Sequence, residues 1–178
     1  GRFEYDTEVS GATNKETLLT SLNGQPDVTG QTRAASAGVD VQVNSSSEFD
    51  FIFDLRNSLS AEGAAVVSAG SFNNFGVFQG TALNLPSSLI LAARGTEDGR
   101  LRVEVTDINK RTAVFILDLR PIYQNYELNL TGDFVPPGFN RNQTASISFA
   151  EDILTETPLD NDMVKVQLPG LHYEEPSL

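Results

Sequence analysis

From Asp40 onward the side chains alternate between apolar and polar with period 2, the spacing that sends every second residue to one face of a strand. The clearest run is Leu101-Arg102-Val103-Glu104-Val105-Thr106, in which Leu and Val take one side and Arg, Glu and Thr the other, as in a sheet wetted on one side only. Val39, Val41 and Val43 alternate with Asp40 and Gln42. Phe49, Phe51 and Phe53 share a face opposite Asp50 and Asp54, and Tyr126, Leu128 and Leu130 alternate with Glu127 and Asn129. Ala145, Ile147 and Phe149, then Val164, Val166 and Leu168, continue the pattern. Residues 89–93 and 113–119 are apolar on both faces, which predicts strands in the middle of the fold, covered on each side. Turn chemistry separates the runs: Asp98-Gly99, the Asp and Asn of 107–110, and Pro136-Pro137-Gly138. Many short strands with such punctuation predict an all-β fold, an antiparallel β-sandwich of jelly-roll type.

Helical spacing is confined to residues 14–22, where Thr13 is placed to cap a short helix; a loop accounts for the same residues equally well. Residues 11–38, rich in Gly, Thr, Ser, Asn and Gln, read as a long excursion with one short element, and 56–64 and 151–162 read as polar connections. No repeat and no dividing linker is present, so residues 1–178 read as one domain. Gly1-Arg2 in place of an initiator Met reads as an excised segment or a processed product, one part of a larger protein.

Composition narrows the function. With 24 acidic residues against 12 basic ones the chain carries a net charge of −12, and long-range repulsion disfavours a nucleic-acid partner. The absence of cysteine excludes disulfides, thiolate metal sites and a cysteine nucleophile. No run approaches the roughly 20 apolar residues that span a bilayer as a helix, so no membrane insertion is expected. His172, the only histidine, lies in the tail and is badly placed for a Ser-His-Asp triad. No glycine-rich phosphate cradle precedes a helix. A glycosidase needs only two carboxylates, too common here to be a signal, so the chain reads as no enzyme. Asp160-Asn161-Asp162 lacks the Gly and distal Glu of an EF-hand loop and reads as a turn.

Parity then selects candidate ligand contacts. Tyr126 shares its face with Leu128 and Leu130 and belongs to the core, whereas Tyr123 shares parity with Asn125, Glu127 and Asn129 and emerges on the polar face. An exposed aromatic beside amide and charged groups suits a sugar, whose C–H face stacks on the ring while its hydroxyls meet planar polar groups. Asn125, Arg102 and Glu104 supply such groups if their strands are neighbours. Phe75 is a further candidate at the rim, in the glycine-rich segment 70–80, where burial of at least two of Phe72, Phe75 and Phe78 is expected. Arg94, at the end of an apolar strand, is expected to pair with Asp107.

The ordered pieces resemble the galactose-binding-like jelly rolls that serve as carbohydrate-binding modules on secreted bacterial polysaccharide-degrading enzymes and surface proteins. Phe3-Glu4 looks like their acidic-aromatic opening, and Gly38-Val39-Asp40-Val41-Gln42-Val43 like their next strand. Most specific is Leu89-Ile90-Leu91-Ala92-Ala93-Arg94-Gly95, then Gly99, then Arg102-Val103-Glu104-Val105-Thr106-Asp107, similar to their strand ending in Arg-Gly, a hairpin, and a strand ending in Asp. Ile122-Tyr123-Gln124-Asn125-Tyr126-Glu127-Leu128, Ile147-Ser148-Phe149 and Val164-Lys165-Val166-Gln167-Leu168 complete a resemblance that covers most of residues 38–174 and leaves 7–37 unmatched. It implies a noncatalytic, extracellular or cell-surface module that binds polysaccharide or oligosaccharide and targets attached domains, with no required cofactor. Two departures bear on it: the chain has no Trp, and Gln167-Leu168 stands where the last strand often carries Asp. A structural calcium would be left with Glu4 and Asp162 as ligands. The alternatives are a structural or adhesion sandwich of a bacterial surface assembly without sugar binding and, behind it, a lyase or hydrolase with a carboxylate or Tyr site.

Overall fold

The computed structural model describes residues 15–20, 29–34, 39–45, 48–53, 62–68, 70–133, 135–152 and 162–168, with side chains described within 64–68, 70–133, 135–151 and 164–168. Thirteen strands run through these residues: β1 (Lys15–Thr20), β2 (Thr29–Ala34), β3 (Val39–Ser45), β4 (Glu48–Phe53), β5 (Glu62–Ser68), β6 (Gly70–Phe72), β7 (Phe78–Gly80), β8 (Ser88–Arg94), β9 (Gly99–Asp107), β10 (Thr112–Leu119), β11 (Gln124–Asn129), β12 (Thr144–Asp152) and β13 (Asp162–Gln167). They form a six-stranded sheet in the order β1-β2-β5-β12-β9-β10, a five-stranded sheet in the order β11-β8-β13-β4-β3, and the hairpin β6-β7. Every pairing is antiparallel, so the expected all-β sandwich is what the chain forms. Among the described residues no helix is long and apolar enough to cross a membrane.

The alternation of β9 does what its sequence requires. Leu101, Val103 and Val105 are wholly buried while Arg102, Glu104 and Thr106 are half-buried on the opposite side. With Ile147 and Phe149 of β12 and Ala65 and Val67 of β5 they meet Leu89, Leu91 and Ala93 of β8, Val164 and Val166 of β13 and Leu128 of β11 in one inter-sheet core. Each Leu, Ile, Val or Phe among them contributes about 1.5–3 kcal/mol when fully buried. The outer side of the six-stranded sheet is covered in part as well: Ala64, Val66, Ala145 and Ala150 lie in a second apolar cluster with Phe72, which Phe78 meets edge to face at 5.6 Å. The glycine-rich segment 70–80 is therefore a hairpin clamped on the sheet. Phe72 is buried, Phe78 half-buried, and Phe75 stands 91% exposed at the tip.

Four expectations are corrected. Residues 15–20 are a strand paired with 29–34, neither helix nor loop, and β2 in turn pairs with β5; cross-strand hydrogen bonding selects the extended form where apolar spacing is too sparse to do so. The stretch 11–38 thus holds two strands. The polar connection placed at 56–64 ends earlier, because Glu62–Ser68 is a sheet strand with Ala64, Ala65, Val66 and Val67 all buried. Nor are the doubly apolar runs both covered on each side: 89–93, in β8, leaves Ile90 48% exposed, and 113–119 is not central. It lies in β10, the edge of the six-stranded sheet, and leaves Val114 and Ile116 46% and 51% exposed.

Candidate functional site

The outer face of the five-stranded sheet is assembled from strands that alternate in the same sense. Register sets Asn125 of β11 opposite Ala92 of β8, Glu127 opposite Ile90 and Asn129 opposite Ser88. On the other side of β8, Arg94 lies opposite Lys165 of β13 and Ala92 opposite Gln167. One methyl group at Ala92 thus separates Asn125 from Gln167, and the surface is lowest there. Beyond β13, register places Lys165 opposite Asp50 and Gln167 opposite Glu48 of β4.

Tyr123 precedes β11 and is 40% exposed. The Arg94 guanidinium carbon lies 5.6 Å from the centre of its ring, within the range of a cation–π contact. Arg94 therefore does not pair with Asp107. That carboxylate, wholly buried, accepts from the backbone N–H groups of Asn109, Arg111 and Asn140 at 2.9 Å each, and its nearest guanidinium is that of Arg111 at 3.9 Å. The Nε of Arg94 is itself buried without a hydrogen-bond partner.

The sequence-derived constellation divides in two. Tyr123 and Asn125 share the face just described. Arg102 and Glu104 lie on the other sheet, opposite Ile116 and Val114 of β10, and are joined by a 2.9 Å Nε–Oε2 ion pair. Parity had shown that both point outward but not from which layer, and the chain changes layer between β10 and β11. Phe75 is also on the six-stranded side, in a turn where Asn73 Oδ1 accepts from the N–H groups of Phe75 and Val77 and Gly76 takes φ +77°. Glu4 lies outside the described residues. Asp162 opens β13 opposite Phe53, its side chain outside the description. Among the described residues no three His, Asp or Glu side chains gather as a metal set. Arg94 and Gln167, now beside Tyr123 and Asn125, were missed as site residues; the signal available was the parity of Arg94 with 88, 90 and 92, which share the outer face with 125, 127 and 129, and it needs the strand pairing to be read.

A cleft of about 490 Å³ opens between the edge strands β10 and β11, lined by Val114, Phe115, Ile116, Tyr126, Glu127 and Leu128 among others. Across it the Tyr126 hydroxyl donates to the carbonyl oxygen of Asp118 and approaches Gln124 Oε1 at 3.2 Å. Burial first, then the Asp118 carboxylate, raises the pKa of this phenol above its ordinary 10.0, against an opposing effect of Arg120. The fold thus favours the neutral phenol. Its contribution is complete below the unfolded-state pKa and is lost as pH rises through the raised folded value. Between about pH 8 and about pH 11 the melting temperature of the wild type should therefore fall more than that of Tyr126→Phe, and at neutral pH the variant should be less stable by about 1 kcal/mol. Parallel alkaline melting curves for the two proteins check this.

No protein-family model matches the chain, and no curated protein does. Among solved structures, PfGH50B is similar over 97% of this chain and 24% of its own, at 10% identity and a TM-score of 0.50. A family 29 carbohydrate-binding module is similar over 88% of this chain and 83% of its own, at 12% identity and a TM-score of 0.49. A variant of such a module complexed with cellulohexaose is similar over 88% of each chain, at 12% identity and a TM-score of 0.49. At such identities the likeness to PfGH50B is one of fold, and it agrees with the sandwich built above.

Proposed function

We propose that the chain is a noncatalytic carbohydrate-binding module of an exported protein, acting outside the cell or at its surface, and that it holds its glycan on the outer face of the five-stranded sheet. The observation that carries this reading is the exposed Tyr123 ring beside the Arg94 guanidinium, with Asn125 and Gln167 flanking Ala92. A pyranose offers apolar C–H groups and equatorial hydroxyls; aromatic and guanidinium planes receive the former, and side-chain amides and N–H donors meet the latter. Capture needs no chemistry, only a preformed face that concentrates attached domains on their substrate. Glu127, the described carboxylate on this face, is four residues along the strand from Tyr123, about 13 Å. Titration of a glycan panel should yield at least one ligand, whose affinity falls about tenfold, or about 1.4 kcal/mol, in Tyr123→Ala. Arg102→Ala, on the opposite sheet, should leave it unchanged. Silence across the panel would remove the reading.

The second reading, a structural sandwich of a surface assembly, is favoured by β10, an edge strand that presents Val114 and Ile116 to solvent, since uncovered apolar edges pair with other chains. Concentration-dependent self-association together with a silent panel would select it.

A further inference from the structure

The geometry points to an anionic sugar, one bearing a carboxylate or sulfate group, as the ligand class bound at the Tyr123 end of the face; this deepens the carbohydrate-binding reading and rests on it. In a chain with 24 acidic residues and 12 basic ones, arginine has no shortage of carboxylates. Arg100 lies 3.7 Å from Asp118, Arg102 2.9 Å from Glu104, Arg111 3.9 Å from Asp107 and Arg120 3.9 Å from Asp98, while Arg141, without an ion pair among the described residues, donates to the Leu85 carbonyl and the Asn142 amide oxygen. Arg94 has no carboxylate within ion-pair distance among the described residues, and its Nε is buried without a hydrogen-bond partner. A guanidinium cannot shed its charge by deprotonation. It lies instead over the Tyr123 ring, its carbon 5.6 Å from the ring centre, within cation–π range.

Lys165 of β13 is opposite Arg94 in register, and Asp50 of β4 is opposite Lys165 on its other side, so the recognition rests on the guanidinium itself. The carboxylate of Glu127 belongs to a residue about 13 Å along the strand from Tyr123, beyond the screening length of about 8 Å at physiological ionic strength. An anionic group seated at Arg94 would therefore meet a guanidinium that forms no ion pair among the described residues. Carboxylate and sulfate oxygens share the chemistry a guanidinium recognises, two acceptors matched to two parallel N–H donors. A neutral sugar cannot use the charge.

The test is a set of matched titrations of the full chain. One arm uses an oligogalacturonate and its carboxyl-reduced counterpart; a second uses a sulfated galactan oligosaccharide and its desulfated counterpart. The expected result is that in one arm the charged member binds at least about tenfold more tightly than its neutral partner, and the arm in which this occurs identifies the anion. Arg94→Gln, checked for folding by thermal melting, should abolish that preference, and Arg94→Lys, which keeps the charge but not the fork of donors, should retain only part of it. Equal binding of charged and neutral members would overturn the anionic assignment while leaving the carbohydrate-binding reading intact. Failure of every glycan, charged or neutral, would overturn both.

Discussion

Asp107→Ala is expected to cost about 3 kcal/mol of folding stability, which in a chain of this length lowers the melting temperature by roughly 6–12 °C. The wholly buried carboxylate of Asp107 ends β9 and accepts three backbone hydrogen bonds: Oδ1 from Asn109 and Arg111, Oδ2 from Asn140. The first two close the β9–β10 turn, in which Lys110 adopts φ +67°. The third crosses to the residue that caps the short 3-10 helix Arg141–Gln143 leading into β12. Alanine leaves these donors without their acceptor, and an orphaned donor costs about 1–3 kcal/mol when water cannot replace the partner. Asn109 and Arg111 are exposed and water replaces much of what they lose, so the larger share falls on the cross-link to Asn140. Asp107→Asn separates shape from hydrogen bonding. Its amide nitrogen must face a donor on one side, and it should retain only part of the stability. Thermal melting and amide exchange at Asn109, Arg111 and Asn140 check the prediction; a shift below about 2 °C for the alanine variant would show that the carboxylate does not hold this turn.

The fold was legible wherever one face of a strand meets the core and the other meets water. β9 is such a strand, and its burial follows its sequence residue by residue. β1 and β2 were not legible: Lys-Glu-Thr-Leu-Leu-Thr and Thr-Gly-Gln-Thr-Arg-Ala carry no alternation, and their extended form comes from pairing onto β5. β5 was hidden for the opposite reason. Its Ala-Ala-Val-Val is buried on both faces, one by the core and one by the β6-β7 hairpin, and continuous burial has no period. β10 has the composition of a central strand and the position of an edge. Periodicity reports how apolar a face is, and only the sheet order reports what covers it. The candidate site follows the same rule. Parity alone put Tyr123 and Asn125 on the outward face of β11, where they stand. It could not separate them from Arg102 and Glu104, which point outward from the other layer; and the pairing of Arg94 with Asp107, expected from its place at the end of an apolar strand, does not form, since the Asp107 oxygens accept from backbone N–H groups.

Phe149→Ala is the other large effect, expected at about 3–5 kcal/mol. Phe149 is wholly buried in β12, between Ala65 of β5 and Val103 of β9 in register, and it belongs to the core that joins the two sheets. Removing the ring withdraws its transfer free energy and leaves a cavity as well. The cavity closes poorly here, because the neighbouring Ala65 is too short to move into it and the backbones of β5, β12 and β9 are tied by continuous ladders. Phe149→Leu, which keeps most of the volume, should cost about 1.5 kcal/mol or less, and the difference between the two variants in chemical denaturation measures the packing contribution. The same pair also separates the core from the binding face. Tyr123, Asn125, Arg94 and Gln167 lie on the outer side of the five-stranded sheet, a full layer from the Phe149 ring. Phe149→Ala, assayed at a temperature where it remains folded, should therefore bind the wild-type glycan with unchanged affinity while melting far earlier. A loss of affinity parallel to the loss of stability would instead mean that the ligand sits between the sheets rather than on their outer surface.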